Sequence, residues 1–248
     1  MKPVKLFSLL ALFTFLIASC GNADNKKKAE AEAEVDTKDW VVLFDGTSTD
    51  NFRGYGKETF PETGWIIEDG ALKVEGSGRG EAGGGGGDII TKNKYGNFEL
   101  SLEWKVSEGG NSGIFYLAQE IEGEAIYMSS PEMQILDNER HPDALLGKDG
   151  NRKAGSLYDL IPAVPQNAKP AGEWNEVKIM VYKGTVVHWQ NGENVLEYHL
   201  WTDQWKEMCA NSKFKDWPNF INTAEEGYIG LQDHGDDVWF RNIKIREL

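Results

Sequence analysis

The sequence predicts an all-β fold, a sandwich of two antiparallel sheets, and three observations carry that prediction. Two-residue alternation marks several short segments, most cleanly Phe98 to Val106, and period two is the strand signature. The dipeptides Asp69-Gly70 and Asn191-Gly192 sit between apolar runs, which marks hairpins. Helical spacing is convincing only over Trp201 to Phe214, so one short helix is expected. For residues 40–248 a sandwich suits the length better than a small barrel. A jelly-roll path is expected to bring the first and last strands together.

The chain begins with an export signal. Lys2 and Lys5 give a basic start, Leu6 to Ile17 is mostly apolar, and Ile17-Ala18-Ser19-Cys20 ends the run. The run is shorter than the ~20 residues a membrane-spanning helix needs, and a cleaved signal peptide over 1–19 fits it. Cys20 stands where a lipobox places the cysteine that is diacylated. Two acyl chains hold a protein stably on a membrane, so the expected location is the cell envelope, on the periplasmic face or the outer-membrane surface. Residues 20–39, with Lys26-Lys27-Lys28 and an Ala/Glu run, carry too little apolar surface to order themselves and read as a flexible linker.

The 26 basic residues face 40 acidic ones, for a net charge of −14, and loss of Lys2 and Lys5 with the leader makes the mature chain more negative. Nucleic-acid binding needs basic surface and is excluded as a partner class. With Cys20 lipidated, Cys209 is left alone. It is expected as a small buried apolar residue rather than half of a disulfide.

Along the domain, Trp40 to Phe44 reads as a strand, followed by a hairpin from Trp65 to Val74 across Asp69-Gly70. Gly76 to Gly87 contains a run of five glycines at 83–87 and reads as a flexible loop. It lacks the Gly-Lys-Ser/Thr ending of a phosphate loop. In the strand at 98–106, Phe98, Leu100, Leu102, Trp104 and Val106 share one face, and Glu99, Ser101, Glu103 and Lys105 the other. Gly109 to Gly113 turns the chain into Ile114-Phe115-Tyr116-Leu117. Pro131 to Asp137 then alternates again, sending Met133 and Ile135 to the core and Glu132 and Gln134 to the opposite face. That face is either a solvated surface or the floor of a pocket for a hydroxyl-rich ligand. Ser156 to Ile161 contains Tyr158. A strand follows Trp174, a hairpin closes around Asn191-Gly192, and strands at Gly227 to Gln232 and Val238 to Ile245 end the domain.

Candidate chemistry collects on the polar side of these strands. Glu103, Glu132 and Gln134 face away from the apolar side, Asp233 and His234 end a strand, His141 comes just after Asp137, and His188 lies in the Asn-Gly hairpin. Paired carboxylates can divide acid and base work when their surroundings separate their pKa values, and histidine moves protons near neutrality. No His-Glu-x-x-His metal motif and no Gly-x-Ser-x-Gly elbow occurs.

A family resemblance joins these segments. Leu43-Phe44-Asp45-Gly46, Glu103-Trp104-Lys105, Gly110-Asn111-Ser112-Gly113-Ile114-Phe115-Tyr116, Pro131-Glu132-Met133-Gln134-Ile135-Leu136-Asp137, Leu157-Tyr158-Asp159, Gly172-Glu173-Trp174-Asn175, His188-Trp189, Gly230-Leu231-Gln232-Asp233-His234-Gly235 and Val238-Trp239-Phe240-Arg241-Asn242-Ile243 resemble the 3-keto-disaccharide hydrolase domain family. The likeness runs in order through almost all of 40–248. It implies a concanavalin A-like lectin/glucanase sandwich and cleavage of glycosides whose sugar carries a ketone at C3. Under that implication a base removes the C2 proton, the C1 substituent leaves, and water adds back. The base is His234 or Glu132, with Asp233 orienting the histidine. Glu103 is the acid, and Gln134, Asn111, Tyr158, Asp137 and His188 contact the sugar. A divalent cation, if one takes part, is held by Glu132 and Asp137. Structural alternatives stand beside these roles: His188 as a satisfied strand residue, Arg241 paired with an acid on the sheet surface, and Asn111 serving its turn. Two other functions remain open, an ordinary two-carboxylate glycosidase and a lectin-like glycan-binding lipoprotein without catalysis.

Overall fold

The computed structural model describes residues 39–77 and 85–248. The export signal, the lipidation site at Cys20, nearly all of the linker and the centre of the glycine-rich loop lie outside the described residues.

Thirteen strands are described. They are β1 (Val41–Phe44), β2 (Phe52–Gly54), β3 (Trp65–Glu68), β4 (Ala71–Val74), β5 (Ile89–Thr91), β6 (Phe98–Val106), β7 (Asn111–Ala118), β8 (Glu132–Leu136), β9 (Asn175–Tyr182), β10 (Thr185–Gln190), β11 (Glu193–His199), β12 (Tyr228–Leu231) and β13 (Val238–Glu247). All described pairings are antiparallel. One sheet runs β11-β10-β9-β6-β13-β4-β3, with β1 also on β13, and the other runs β2-β5-β12-β7-β8. The expected two-sheet sandwich is therefore the fold. Its first and last strands do meet, with Val41 opposite Ile245.

Local chemistry explains the turns. Asp69 and Gly70 between β3 and β4 both have positive φ (50° and 74°), as do Asn191 and Gly192 between β10 and β11 (50° and 86°). Two consecutive positive φ values are what tight hairpins ask of Asn/Asp-Gly pairs. Lys183-Gly184 makes the same kind of turn between β9 and β10, although lysine gives no turn signal.

The core fills the space between the sheets. Phe98, Leu100, Leu102, Trp104 and Val106 of β6 are all buried, as the alternation requires, and they join Val177, Ile179 and Val181 of β9. From the other sheet come Ile114 and Tyr116 of β7, Met133 and Ile135 of β8, and Ile229 and Leu231 of β12. Each such side chain contributes about 1.5–3 kcal/mol when fully buried.

The helical region is shorter and more broken than the spacing suggests. Helix α1 covers Asp203–Ala210, capped by the Thr202 hydroxyl accepting the Trp205 N–H. A 3-10 turn at Lys213–Asp216 and a four-residue helix α2, Pro218–Ile221, follow. Trp205 and Cys209 are buried as expected, and burial pushes the Cys209 thiol up to about 12, so it behaves as an inert apolar group. A four-residue helix is too short to show periodicity, which is why α2 left no trace in the sequence pattern.

Candidate active site

The outward face of the five-stranded sheet is not a solvated surface. All five residues of β8 are buried, with Glu132 at 8 % exposure and Gln134 at 1 %. A cavity of about 530 Å³ lies over this face, within the range of small-molecule sites. Alternation builds its floor. Because Met133 and Ile135 point into the core, Glu132 and Gln134 point out. Because Ile114 and Tyr116 point in, Asn111 and Gly113 point out. Gln232, Asp233 and His234 follow β12 onto the same floor. The walls come from elsewhere in the chain: Tyr127 and Ser130 precede β8, Tyr158 lies in the next loop, and Lys213, Phe214, Trp217 and Phe220 come from the helical region.

Gly113 makes room for Glu132. A Cβ on Gly113 would overlap Glu132 Oε1, so the carboxyl group occupies the space that a side chain on the neighbouring strand would otherwise take. Beside it, the Asn111 Nδ2 group donates to His234 Nε2 at 3.1 Å, which occupies the lone pair that His234 would need there to act as a base. Asn111 Oδ1 is buried without a hydrogen-bond partner, an acceptor suited to a substrate hydroxyl.

Two titratable groups in the cleft went unread in the sequence. Asp88 follows the glycine run directly and shows no pattern there. Burial, with Asp233 adding to it, pushes its carboxyl up to about 7 against the opposing hydrogen bond that Asp88 Oδ1 accepts from the Asp233 N–H (2.9 Å). Lys213 is an exposed residue whose ammonium lies 4.0 Å from the Tyr158 ring centroid. Desolvation, with the Arg152 charge adding to it, lowers its pKa, while Asp159, Glu132 and Asp143 act the other way. Tyr158 donates its hydroxyl proton to Asp143 at 2.9 Å, and Arg152 holds Asp143 (2.7 Å) and Asp159 (2.5 Å) in place. Burial first, then the Asp143 charge, raises the phenol and keeps it neutral.

Four sequence assignments need correction. Glu103 does not reach the cleft. It sits on the outward face of the other sheet, with the core between, where it accepts from Arg241 (2.6 and 2.9 Å) and Asn242 (2.5 Å). Burial raises its carboxyl, but these hydrogen bonds outweigh that and hold it below the ordinary value, the opposite of what a proton donor needs. The expected pairing of Arg241 with a surface acid is this one. His188 is fully buried in the core, donating from Nδ1 to the Gly155 carbonyl (3.0 Å) and accepting from Tyr116 (2.9 Å), and burial pulls its pKa down to about 4. Asp137 follows the last residue of β8 and turns into the loop beyond it. Its oxygens accept the Gly109 N–H (2.8 Å) and the Glu139 N–H (3.0 Å). It neither lines the cleft nor shares a cation with Glu132. Asp233 does line the cleft, but it does not orient His234. Its carboxylate binds the Gly86, Gly87 and Gly235 N–H groups at 3.0–3.1 Å, fixing the end of the glycine-rich loop.

Among the described residues, His141, His234 and Asp236 bring possible metal-binding atoms within 4.8 Å of one another. The fit is poor. The Asp143 N–H donates to His141 Nδ1 (3.1 Å), which leaves the ring proton on Nε2, and the Asn111 Nδ2 group donates to His234 Nε2 (3.1 Å). Three open lone pairs do not converge, so no metal-dependent step follows from this cluster.

Asp88 has a stability signature. Its folded pKa of about 7 lies above the ordinary 3.8, so the folded state keeps a proton that the unfolded chain loses. Stability therefore falls as pH rises from about 4 to about 7, by as much as ~4 kcal/mol at ~1.4 kcal/mol per unit. His188, with its depressed pKa, acts oppositely over much of this window. The difference between wild type and Asp88→Asn isolates the Asp88 effect: urea melts at pH 4.5 and 7.5 should show Asp88→Asn gaining relative stability at the higher pH. An equal difference at both pH values would contradict the assignment.

The chain has clear relatives. Residues 39–246 match the profile of a family described as the 3-keto-alpha-glucoside-1,2-lyase-like domain. A protein of Bacteroides thetaiotaomicron named 3-keto-disaccharide hydrolase is 58 % identical over 233 residues, covering 86 % of this chain and 80 % of the relative. Two crystal structures from Parabacteroides distasonis, each described provisionally as a glycosyl hydrolase, superpose well. One has a TM-score of 0.74 at 27 % identity, covering 90 % of this chain and 96 % of the other. The second has a TM-score of 0.64 at 29 % identity, covering 85 % and 100 %.

Proposed function

The chain belongs to the 3-keto-alpha-glucoside-1,2-lyase-like family, and from that premise we propose that its cleft cleaves 3-keto-glycosides by elimination and hydration. It is a glycoside-cleaving enzyme, and its substrate is a carbohydrate. The observation that carries the finer reading is the Glu132 carboxyl group, buried on the cleft floor in space left by Gly113 and within electrostatic reach of Lys213 and Tyr158.

A ketone at C3 acidifies the C2 proton. Glu132 takes that proton, and the C2–H electron pair forms an enolate whose oxygen Lys213 and neighbouring donors stabilise. The enolate collapses to a C1–C2 double bond as the C1–O bond breaks, and Asp88, protonated near neutrality, gives the leaving oxygen its proton. Water then adds, with hydroxyl to C1 and hydrogen to C2, for a net hydrolysis. Asn111 Oδ1 and Gln134 bind sugar hydroxyls. His234, accepting from Asn111, is a positioning residue in this scheme, and the undecided choice of base falls to Glu132.

The test compares a 4-nitrophenyl 3-keto-glucoside with the unoxidised 4-nitrophenyl glucoside. Release of nitrophenol from the keto sugar alone is expected. Equal release from both points instead to ordinary two-carboxylate hydrolysis, and binding without release from either points to a lectin-like module.

A further inference from the structure

The Lys213 ammonium rests on rings. It lies 4.0 Å from the Tyr158 ring centroid and 5.1 Å from that of Phe214. Asp159, Glu132 and Asp143 attract it through space, and Arg152 repels it. An ammonium has three N–H donors and no acceptor. A ring face attracts the charge through its quadrupole and leaves donors over for an oxygen ligand. The four-carbon stem of lysine is flexible, so the ring also limits where the charge can stay.

Tyr158 is held at three points. Its N–H donates to the Glu132 carbonyl at 3.0 Å, which ties it to the strand that carries the carboxyl group of the cleft floor. Its hydroxyl donates to Asp143 Oδ2 at 2.9 Å. Arg152 donates to the other Asp143 oxygen at 2.7 Å, and its guanidinium lies 5.5 Å from the Tyr158 ring centroid. With its proton committed to Asp143, Tyr158 meets Lys213 through its ring.

We propose that Tyr158 is a positioning residue: its ring carries the Lys213 ammonium, keeps it from closing an ion pair with Glu132, and leaves its N–H donors to the oxygen that becomes negative during the reaction. This rests on the 3-keto reading, in which Glu132 removes the C2 proton and Lys213 stabilises the enolate oxygen. An ion pair between the two would engage the lone pair that takes the proton and the donors that meet the enolate. Tyr158 acts through Lys213 and touches neither reacting atom.

A double-mutant cycle on the full chain tests this. One readout is steady-state kinetics on a 3-keto-glucoside, and the other is NMR of the carbon-13 lysine-labelled protein without substrate. Tyr158→Leu is expected to lower kcat by about 10²-fold, the cost of misplacing a group at the reacting centre by about 1 Å. Lys213→Met removes the donor itself and should cost about 10²–10³-fold. In the double variant kcat should stay within about threefold of Lys213→Met, because residues that act as one unit are not additive. KM should move by no more than about threefold, since the enolate charge arises only after proton transfer. Tyr158→Phe, which keeps the ring, should recover most of the loss. In the NMR spectra the ring current should displace the Lys213 ε-methylene protons upfield in wild type and Tyr158→Phe but not in Tyr158→Leu, with Lys213→Met identifying the signal. Losses that multiply in the double variant, or a Lys213 signal at the ordinary lysine position in wild type, overturn the proposal. No turnover by wild type overturns the 3-keto reading and the catalytic role with it, while a displaced signal would still keep Tyr158 as the seat of the ammonium, so the two failures are distinguishable.

Discussion

Glu132→Gln is expected to lower kcat on a 3-keto-glycoside by about 10³-fold while leaving the fold unchanged, because a positioned general base supplies roughly 10²–10⁴ of rate. Glutamine keeps the shape and volume that Gly113 accommodates, so the loss reports proton transfer rather than packing. The comparison variant is Glu103→Gln. Its carboxylate serves Arg241 and Asn242 on the far side of the sandwich, so turnover there should stay within about twofold of wild type, given that changing a surface ion pair costs little. If Glu132→Gln kept more than a tenth of the activity while His234→Asn lost it, the base would be the imidazole and Asn111 would have to turn its amide around.

Gly113→Ala is expected to lower kcat/KM by about 10²-fold with only a modest loss of stability. The added methyl group would overlap Glu132 Oε1. The carboxyl group is the end of a flexible side chain and can swing aside, so the sheet survives. Overpacking of this kind costs about 1–3 kcal/mol, or several degrees in Tm for a domain of this size. A displacement of about 1 Å in a reacting group, however, is worth about 10² in rate. Steady-state kinetics and a thermal melt on one preparation separate the two effects. Full activity in Gly113→Ala would mean that the Glu132 position seen here is not the working one.

Strand alternation made much of this fold readable and also caused the largest error about the site. In Phe98 to Val106 it named every core residue correctly. It also separated Glu103 and Glu132 from the core, but a sandwich has two outward faces, and a period of two cannot say which face a residue joins. Sheet pairing decides. β6 lies between β9 and β13, which sets Glu103 opposite Glu176 and Arg241, whereas β8 is at the edge of the other sheet beside β7. Asp137 was less legible, because it sits just past the end of β8 and the loop there, rather than the strand, turns it onto the Gly109 and Glu139 N–H groups. His188 was less visible. Its strand offers Val186, His188 and Gln190 on one side, and only the assembled core shows that Tyr116 and Gly155 satisfy the ring.

The walls were the least legible part. Lys213, Phe214, Trp217 and Phe220 come from a short excursion between β11 and β12, and they meet Tyr127 and Tyr158 only through tertiary packing. Asp88 has an unusual pKa solely because the chain buries it beside Asp233. The sequence holds nine tryptophans, and their number alone does not separate Trp217 at the cleft from Trp104 and Trp205 in the core. The polar floor, by contrast, was legible from Glu132, Gln134, Asn111 and His234 together, since the segments that resemble the family carry all four.

The most direct measurement follows the C2 hydrogen. Turnover of a 3-keto-glucoside in D₂O, read by NMR against enzyme-free and Glu132→Gln controls, should place deuterium at C2 of the released keto sugar at the rate of glycoside cleavage. Cleavage at full rate with the original hydrogen still at C2 would contradict proton abstraction by Glu132 and return the cleft to direct hydrolysis at C1.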